Sequence, residues 1–305
     1  MSGVPAARLR ASVFCDGTTG PVRLSHPECV AFDADGAAWC GGDRGELYRV
    51  APDGSAIEQV ASTGGFVLGV ALDGAGHLYA CDLAKRALFR LTLASGAVER
   101  FADGGGAMRI PNFAVVDAAR GCLYVSDSHD AERPGPGIWR VALDGGACEL
   151  WHPGPFTFAN GMALTAGGDA LYVVETWARR IVRVEIGADG AAGAVTPVVE
   201  TPEALPDGIA LDTDGRLYIA CYEPSRVYRH DPRGADGDPR GTAGDPRPPS
   251  APLELLLDDP TAHVLCHPTN CAFRGAELFT ANLGRWHLAR AVLDDASGLP
   301  LPGQR

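Results

Sequence analysis

Little in this chain points toward a membrane, a nucleic acid or a disulfide framework. No apolar run approaches the roughly 20 residues that a membrane helix needs. Runs rich in Lys and Arg are missing too, in a sequence whose formal net charge is −12. A chain of pI near 5.1 is repelled by phosphate backbones and anionic lipid surfaces, so neither nucleic acid nor membrane is an expected partner. The opening stretch MSGVPAARLRASVF has no uninterrupted apolar core, so no signal peptide is read there. Nine cysteines are an odd number, scattered singly and with no CxxC pair. That pattern predicts reduced, mostly buried thiols in a cytoplasmic protein. Cys40, Cys81 and Cys221 fall in apolar or small-residue stretches, where a thiol behaves as a small hydrophobe. A GxSxG nucleophile turn is absent, and no cysteine stands in an activating setting. Helix-length stretches with a 3.6-residue period are nearly absent as well.

What is present is repetition. Six segments share a short apolar run, a turn and an aromatic strand: VAFDADGAAWCGG from Val30, VALDGAGHLYACD from Val70, AVVDAARGCLYVSD from Ala114, MALTAGGDALYVVE from Met162, IALDTDGRLYIACY from Ile209 and CAFRGAELFTAN from Cys271. Their aromatic markers are Trp39, Tyr79, Tyr124, Tyr172, Tyr218 and Phe279, at intervals of 40, 45, 48, 46 and 61 residues. A third strand in each unit carries an Arg at one register: Arg49, Arg90, Arg140, Arg183, Arg229 and Arg290. A fourth strand is visible in most units, as in AIEQVA, AVERFA and CELWHP. DG, GG and AG pairs supply the turns. Repeats of roughly 40–50 residues with four strands each mark a β-propeller.

The predicted fold is therefore all-β: one six-bladed β-propeller domain over residues 1–305, four antiparallel strands per blade. The last unit lacks an obvious outer strand, and RASVF or PVRL near the N-terminus would supply it. The repeated Arg reads as structural, because all six units share it. The 61-residue interval holds HDPRGADGDPRGTAGDPRPPS, from His230 to Ser250, with three DPR triplets. A flexible insertion over 230–252, between the third and fourth strands of blade five, is expected there.

The register also selects residues for the middle. Two positions ahead of the apolar runs stand Glu28, Leu68, Asn112, Asn160, Asp207 and Thr269. First strands of a propeller line its central channel, so these six would meet about one axis. Glu28, Asn112, Asn160 and Asp207 are oxygen donors. Two carboxylates with two amide carbonyls match one divalent cation: Ca, Mg or Mn as hard ions, or Zn with open water positions. Against this, Asn160-Gly161 and Asp207-Gly208 are also turn dipeptides. The mouth of the channel would draw on His129 in SDSHD, on His26 and His267, and on an apolar rim of Trp177, Trp286 and Phe66.

These motifs resemble the SMP-30/gluconolactonase/luciferin-regenerating-enzyme family: HPECVAFDADG, IPNFAVVD, FANGMALTAGGDALYVVETWARRI, LPDGIALDTDGRLYIA and PTNCAFRGAELFTANL. The resemblance runs from about Pro21 to Leu293. It implies a six-bladed propeller with a central metal-binding channel, in which Glu28, Asn160 and Asp207 hold one divalent metal ion. Asn112 would bind substrate or complete the metal site, and Arg109 would reach the sugar, although the chain reads Pro111-Asn112-Phe113 where relatives often read PND. PECVAFD and VVETWARRIVR lean toward the strictosidine-synthase-like branch.

The function so implied is a gluconolactonase-like lactonase, a carboxylic ester hydrolase acting on a small-molecule cyclic ester. Asp207 would act as catalytic base, with Asn112, Arg109 and His129 binding substrate. The alternatives are a propeller lyase, isomerase or condensing enzyme, and a non-catalytic scaffold.

Overall fold

Each repeat unit alternates apolar and polar side chains along short strands joined by tight turns, so it folds as an antiparallel meander. The computed structural model describes residues 9–233 and 252–303. It contains six four-stranded antiparallel sheets, each starting at an inner strand and stepping outward, in chain order throughout blades one to five. Inner strands are Ala31–Phe32, Val67–Leu72, Pro111–Asp117, Ala159–Leu164, Leu205–Leu211 and Pro268–Arg274. Each touches the next, and that of blade six touches that of blade one, so the ring closes. The outermost strand of blade six comes from Ser12–Asp16, which pairs antiparallel with His287–Val292. Among the described residues the only helical element is the 3-10 turn Gly104–Gly106. None of their helices is long and apolar enough to cross a membrane. Most of the 230–252 insertion, residues 234–251, lies outside the described residues.

The core lies between blades, not at one centre. Tyr124, Ile138 and Trp151 of blade three pack against Met162, Val173 and Val182 of blade four. The aromatic markers fill these wedges, and Tyr79, Tyr124, Tyr218 and Phe279 are among the largest fully buried side chains. A ring of that size removes much apolar surface from water at a single position. The repeated Arg ties the strands and the blades together. Arg90 and Arg140 donate to Leu143 O at 3.5 Å and Gly190 O at 2.9 Å in the following blade. Arg229 reaches Asp295 at 3.0 Å, and Arg290 meets Glu277 at 2.8 Å. All nine cysteines are free, and eight are buried.

Candidate functional site

Five of the six axis positions lie on inner strands, and all five fall where the pairing slips. The inner strand loses register between Val67 and Gly69, Pro111 and Ala114, Ala159 and Met162, Pro206 and Ile209, and Pro268 and Asn270. The skipped residues include Leu68, Asn112, Asn160, Asp207 and Thr269. A bulge residue leaves the ladder, so its side chain is re-aimed. Glu28 lies three residues before its own short strand. The glycines after Asn160 and Asp207 serve close approach, not turns. A Cβ on Gly161 would sit 2.6 Å from Asp207 O, and one on Gly208 would sit 2.6 Å from the Asn270 Cα. Neither glycine has positive φ. The turn reading of NG and DG is thereby replaced: these are strand residues where neighbouring backbones nearly touch.

Glu28, Asn160 and Asp207 come together electrostatically. Burial raises the Asp207 carboxyl well above its ordinary range, and the charge of Glu28 raises it further, while the Asn160 amide opposes the rise. Burial likewise pushes Glu28 up to about 7, opposed by the Thr269 hydroxyl, which donates to Glu28 O at 2.9 Å. Both carboxylates lie deep in protein yet keep part of their surface open at the axis. No Arg, Lys or His is among the groups that shift either one. Two acids deep in protein without a counter-charge repel, and here the charge of Glu28 disfavours ionisation of Asp207. Among the described residues no group of three or more His, Cys, Asp or Glu is placed to hold a metal. A cage here would need amide oxygens beside its two carboxylates. That donor set, with its missing positive charge, fits a hard divalent cation.

Asn112 and Asn160 are held by one device that sequence reading missed. Asn160 Nδ2 donates to Thr176 Oγ1 at 3.1 Å, and Asn112 Nδ2 donates to Ser128 Oγ at 3.0 Å. Each hydroxyl lies 16 residues after its Asn, a shared offset that would have revealed both. Ser128 then donates to Ala159 O at 2.7 Å, joining blade three to blade four beside Asn160. One bond to Asn112 leaves its second amide hydrogen and its carbonyl free.

The loops on this face form the mouth. His26 lies 6.1 Å, ring centre to ring centre, from both Phe66 and Trp286. Across the mouth Phe158 meets Trp177 at 5.3 Å, so the expected rim residues sort into two walls. His267 stacks on Tyr222 at 4.7 Å. Tyr222 is a second residue missed at the sequence level. Its phenol is raised first by burial, then by the charges of Glu28, Glu223 and Asp207, which brings it into the reach of both acids. Carboxylates at the ends of second strands hold the loops in place. Asp127 accepts from the backbone N–H of Arg109, Ile110 and His129 at 3.0, 2.8 and 2.9 Å, and Glu175 accepts from Thr157 N at 2.8 Å. Arg109 and His129 thus meet in one cleft of about 550 Å3, beside Ile110.

Comparison with known proteins agrees with this architecture. The chain is similar to lactonase drp35 of Staphylococcus haemolyticus, 36% identical over 80 residues, which cover 25% of each chain. It thus spans a quarter of the length of that curated relative. A gluconolactonase from Xanthomonas campestris superposes with a TM-score of 0.72 at 21% identity, over 93% of this chain and 90% of the other. Regucalcin from Agrobacterium tumefaciens, described as a calcium-binding protein, gives 0.71 at 18% identity, over 97% and 98%. At such identities these two likenesses speak for the fold. Residues 26–238 match the SMP-30/Gluconolactonase/LRE-like region, a span that holds Glu28, Asn112, Asn160 and Asp207 together. With that match over most of its length, the chain belongs to the SMP-30/gluconolactonase/LRE-like family.

Proposed function

We propose that this protein is a metal-dependent lactonase that opens a sugar lactone or a related cyclic ester. The observation that carries the reading is the pair Glu28 and Asp207, two acids deep in the protein at the inner register, the charge of one raising the other, with no cationic side chain among the groups that shift either one. Glu28, Asn160 and Asp207 would hold the ion, with Asn112 at its edge. When bound, a divalent cation there polarises the ester carbonyl and makes a nearby water more acidic. Asp207 takes the proton as that water attacks the carbonyl carbon. The ring C–O bond then breaks, and the same proton passes to the departing ring oxygen, which leaves a hydroxy acid. The free amide hydrogen of Asn112 donates to the developing oxyanion. Thr176 and Ser128 fix the two amides, so they need not reorganise during the reaction. Nine free thiols support a reducing, cytoplasmic setting.

Elemental analysis of purified wild type and Asp207→Ala tests this, after dialysis and again with Ca, Mn, Mg or Zn added, alongside a pH-indicator screen of aldonolactones. One ion per chain in wild type, lost in the variant together with turnover, is the expected result. Protein that takes up no ion under any addition overturns the reading.

A further inference from the structure

The mouth cleft that holds Arg109 and His129 is also lined by Leu83, Arg86, Asp130 and Glu132. Most arginines on this face are already engaged. Arg133 pairs with Asp130 at 2.8 Å, and Arg180 pairs with Glu175 at 2.6 Å. Arg179 donates to Pro202 O at 2.7 Å, and Arg285 donates to Ala262 O at 3.2 Å. Arg86 and Arg109 differ. Neither guanidinium takes part in an ion pair or a hydrogen bond among the described residues. Of the two carboxylates in the cleft, Asp130 is neutralised by Arg133, and Glu132 is exposed. The lining is balanced in formal charge, two arginines against two carboxylates, but with Asp130 already paired the two arginines are left to meet an anion.

The backbone fixes how these groups are presented. Arg86 has φ 55° and His129 has φ 62°. Left-handed backbone disfavours residues with a Cβ, by about 1 kcal/mol or more. Glycine or asparagine would relieve that strain, yet these turns carry a long cation and an imidazole. Gly135 also makes room for the imidazole, since a Cβ there would lie 2.2 Å from a His129 ring carbon. Arg179 and Trp286 hold the same conformation just before the third strands of their blades, so at Arg86 it belongs to the hairpin; what it does there is carry the guanidinium on a fixed turn at the cleft.

We propose that Arg86 and Arg109 bind an anionic substituent, a phosphate monoester or a carboxylate, carried by the substrate on a carbon remote from the ester. This rests on the lactonase reading for the reaction, and it names the substrate class: a lactone bearing a negative charge. Ile110 lines the cleft and lies two residues before Asn112, so one end of such a molecule reaches the arginines while the other extends toward the axis.

The test uses three pyranoses that differ only at the sixth carbon: glucose, glucose 6-phosphate and glucuronate. Each is titrated calorimetrically into metal-loaded wild type, Arg86→Ala, Arg109→Ala, the double variant and Arg86→Lys. Each arginine contact is worth about a tenfold change in Kd. The expected result is an anionic sugar bound at least about 10-fold more tightly than glucose, with the preference weakened by added salt. Arg86→Lys should retain part of that preference, and the double variant should lose it. A larger gain for glucose 6-phosphate assigns a phosphate; a larger gain for glucuronate assigns a carboxylate. Equal binding of all three sugars, or a preference that survives in the double variant, overturns the proposal. Both arginines are exposed, so thermal midpoints should not move. Lactone turnover, read in parallel, separates the two claims: a sugar preference without turnover sinks the lactonase reading alone.

Discussion

Replacing Glu28 with Gln should make the protein more stable when metal is stripped and less stable when metal is present. The Glu28 carboxyl rises from 4.5 to about 7 on folding, chiefly because it is buried. Each tenfold change in acidity is worth about 1.4 kcal/mol, so the ionised group costs the fold about 3.5 kcal/mol. This is an upper figure, because part of Glu28 meets water at the axis. The sign follows from proton binding. Below about 4.5 the carboxyl is protonated in both states, and the cost is absent. Between 4.5 and 7 the unfolded chain loses the proton while the folded chain keeps it, so stability falls as pH rises. Above about 7 the full cost is present. Unfolding entropy near 2.1 cal/mol/K per residue, over 305 residues, converts about 3.5 kcal/mol into about 5 °C. Scanning calorimetry at pH 8 in EDTA should therefore place Glu28→Gln up to about 5 °C above wild type. With an ion at 1,000 times its Kd, wild type gains about 4.1 kcal/mol, more than the cost of the carboxylate, and the order should reverse. A variant that unfolds earlier than wild type in EDTA would refute the reasoning, because Glu28 would then have a stabilising partner.

Three further outcomes follow from the same geometry. Tyr222→Phe removes a hydroxyl near both acids but keeps the ring that stacks on His267; lactone kcat should fall about 10-fold or more, within the range of lost proton-transfer or hydrogen-bonding groups, with metal content unchanged. Gly208→Ala drives a Cβ to 2.6 Å from the Asn270 Cα, and urea unfolding should show a loss of about 1–3 kcal/mol, as overpacking gives. Asp259 is held near 2: burial works against its ionisation, but the Thr261 hydroxyl and the Val264 and Leu265 N–H groups outweigh it. Its stabilisation is therefore present above about 3.8 and lost as pH falls through 2, so amide exchange at Val264 and Leu265 should accelerate over that window, and Asp259→Asn should abolish the dependence.

The propeller was legible because its signals are local and repeated. A glycine-bearing turn, an apolar run and one buried ring recur in every unit, and six weak copies make one strong statement. The inner register was legible for the same reason, since equivalent positions in a closed ring must meet. Ser128 and Thr176 escaped notice because a lone hydroxyl carries no pattern; only its 16-residue distance from an Asn does. Tyr222 escaped because it stands near the end of the second strand of blade five, Leu217–Glu223, at a position four residues after the aromatic marker where no other unit has an aromatic residue.

The glycines of NG and DG show the deeper limit. Their usual meaning is positive φ, and here they have none. What requires them is the next blade: at Gly161 the backbone of Asp207, and at Gly208 the backbone of Asn270. A side chain at either place would push two inner strands apart, and with them the donors those strands carry. The same approach brings the Asn160 amide onto Asp207 and Asp207 toward Glu28. The two glycines thus belong to the site although they contribute no donor, and their role becomes visible only once strands distant in sequence stand side by side.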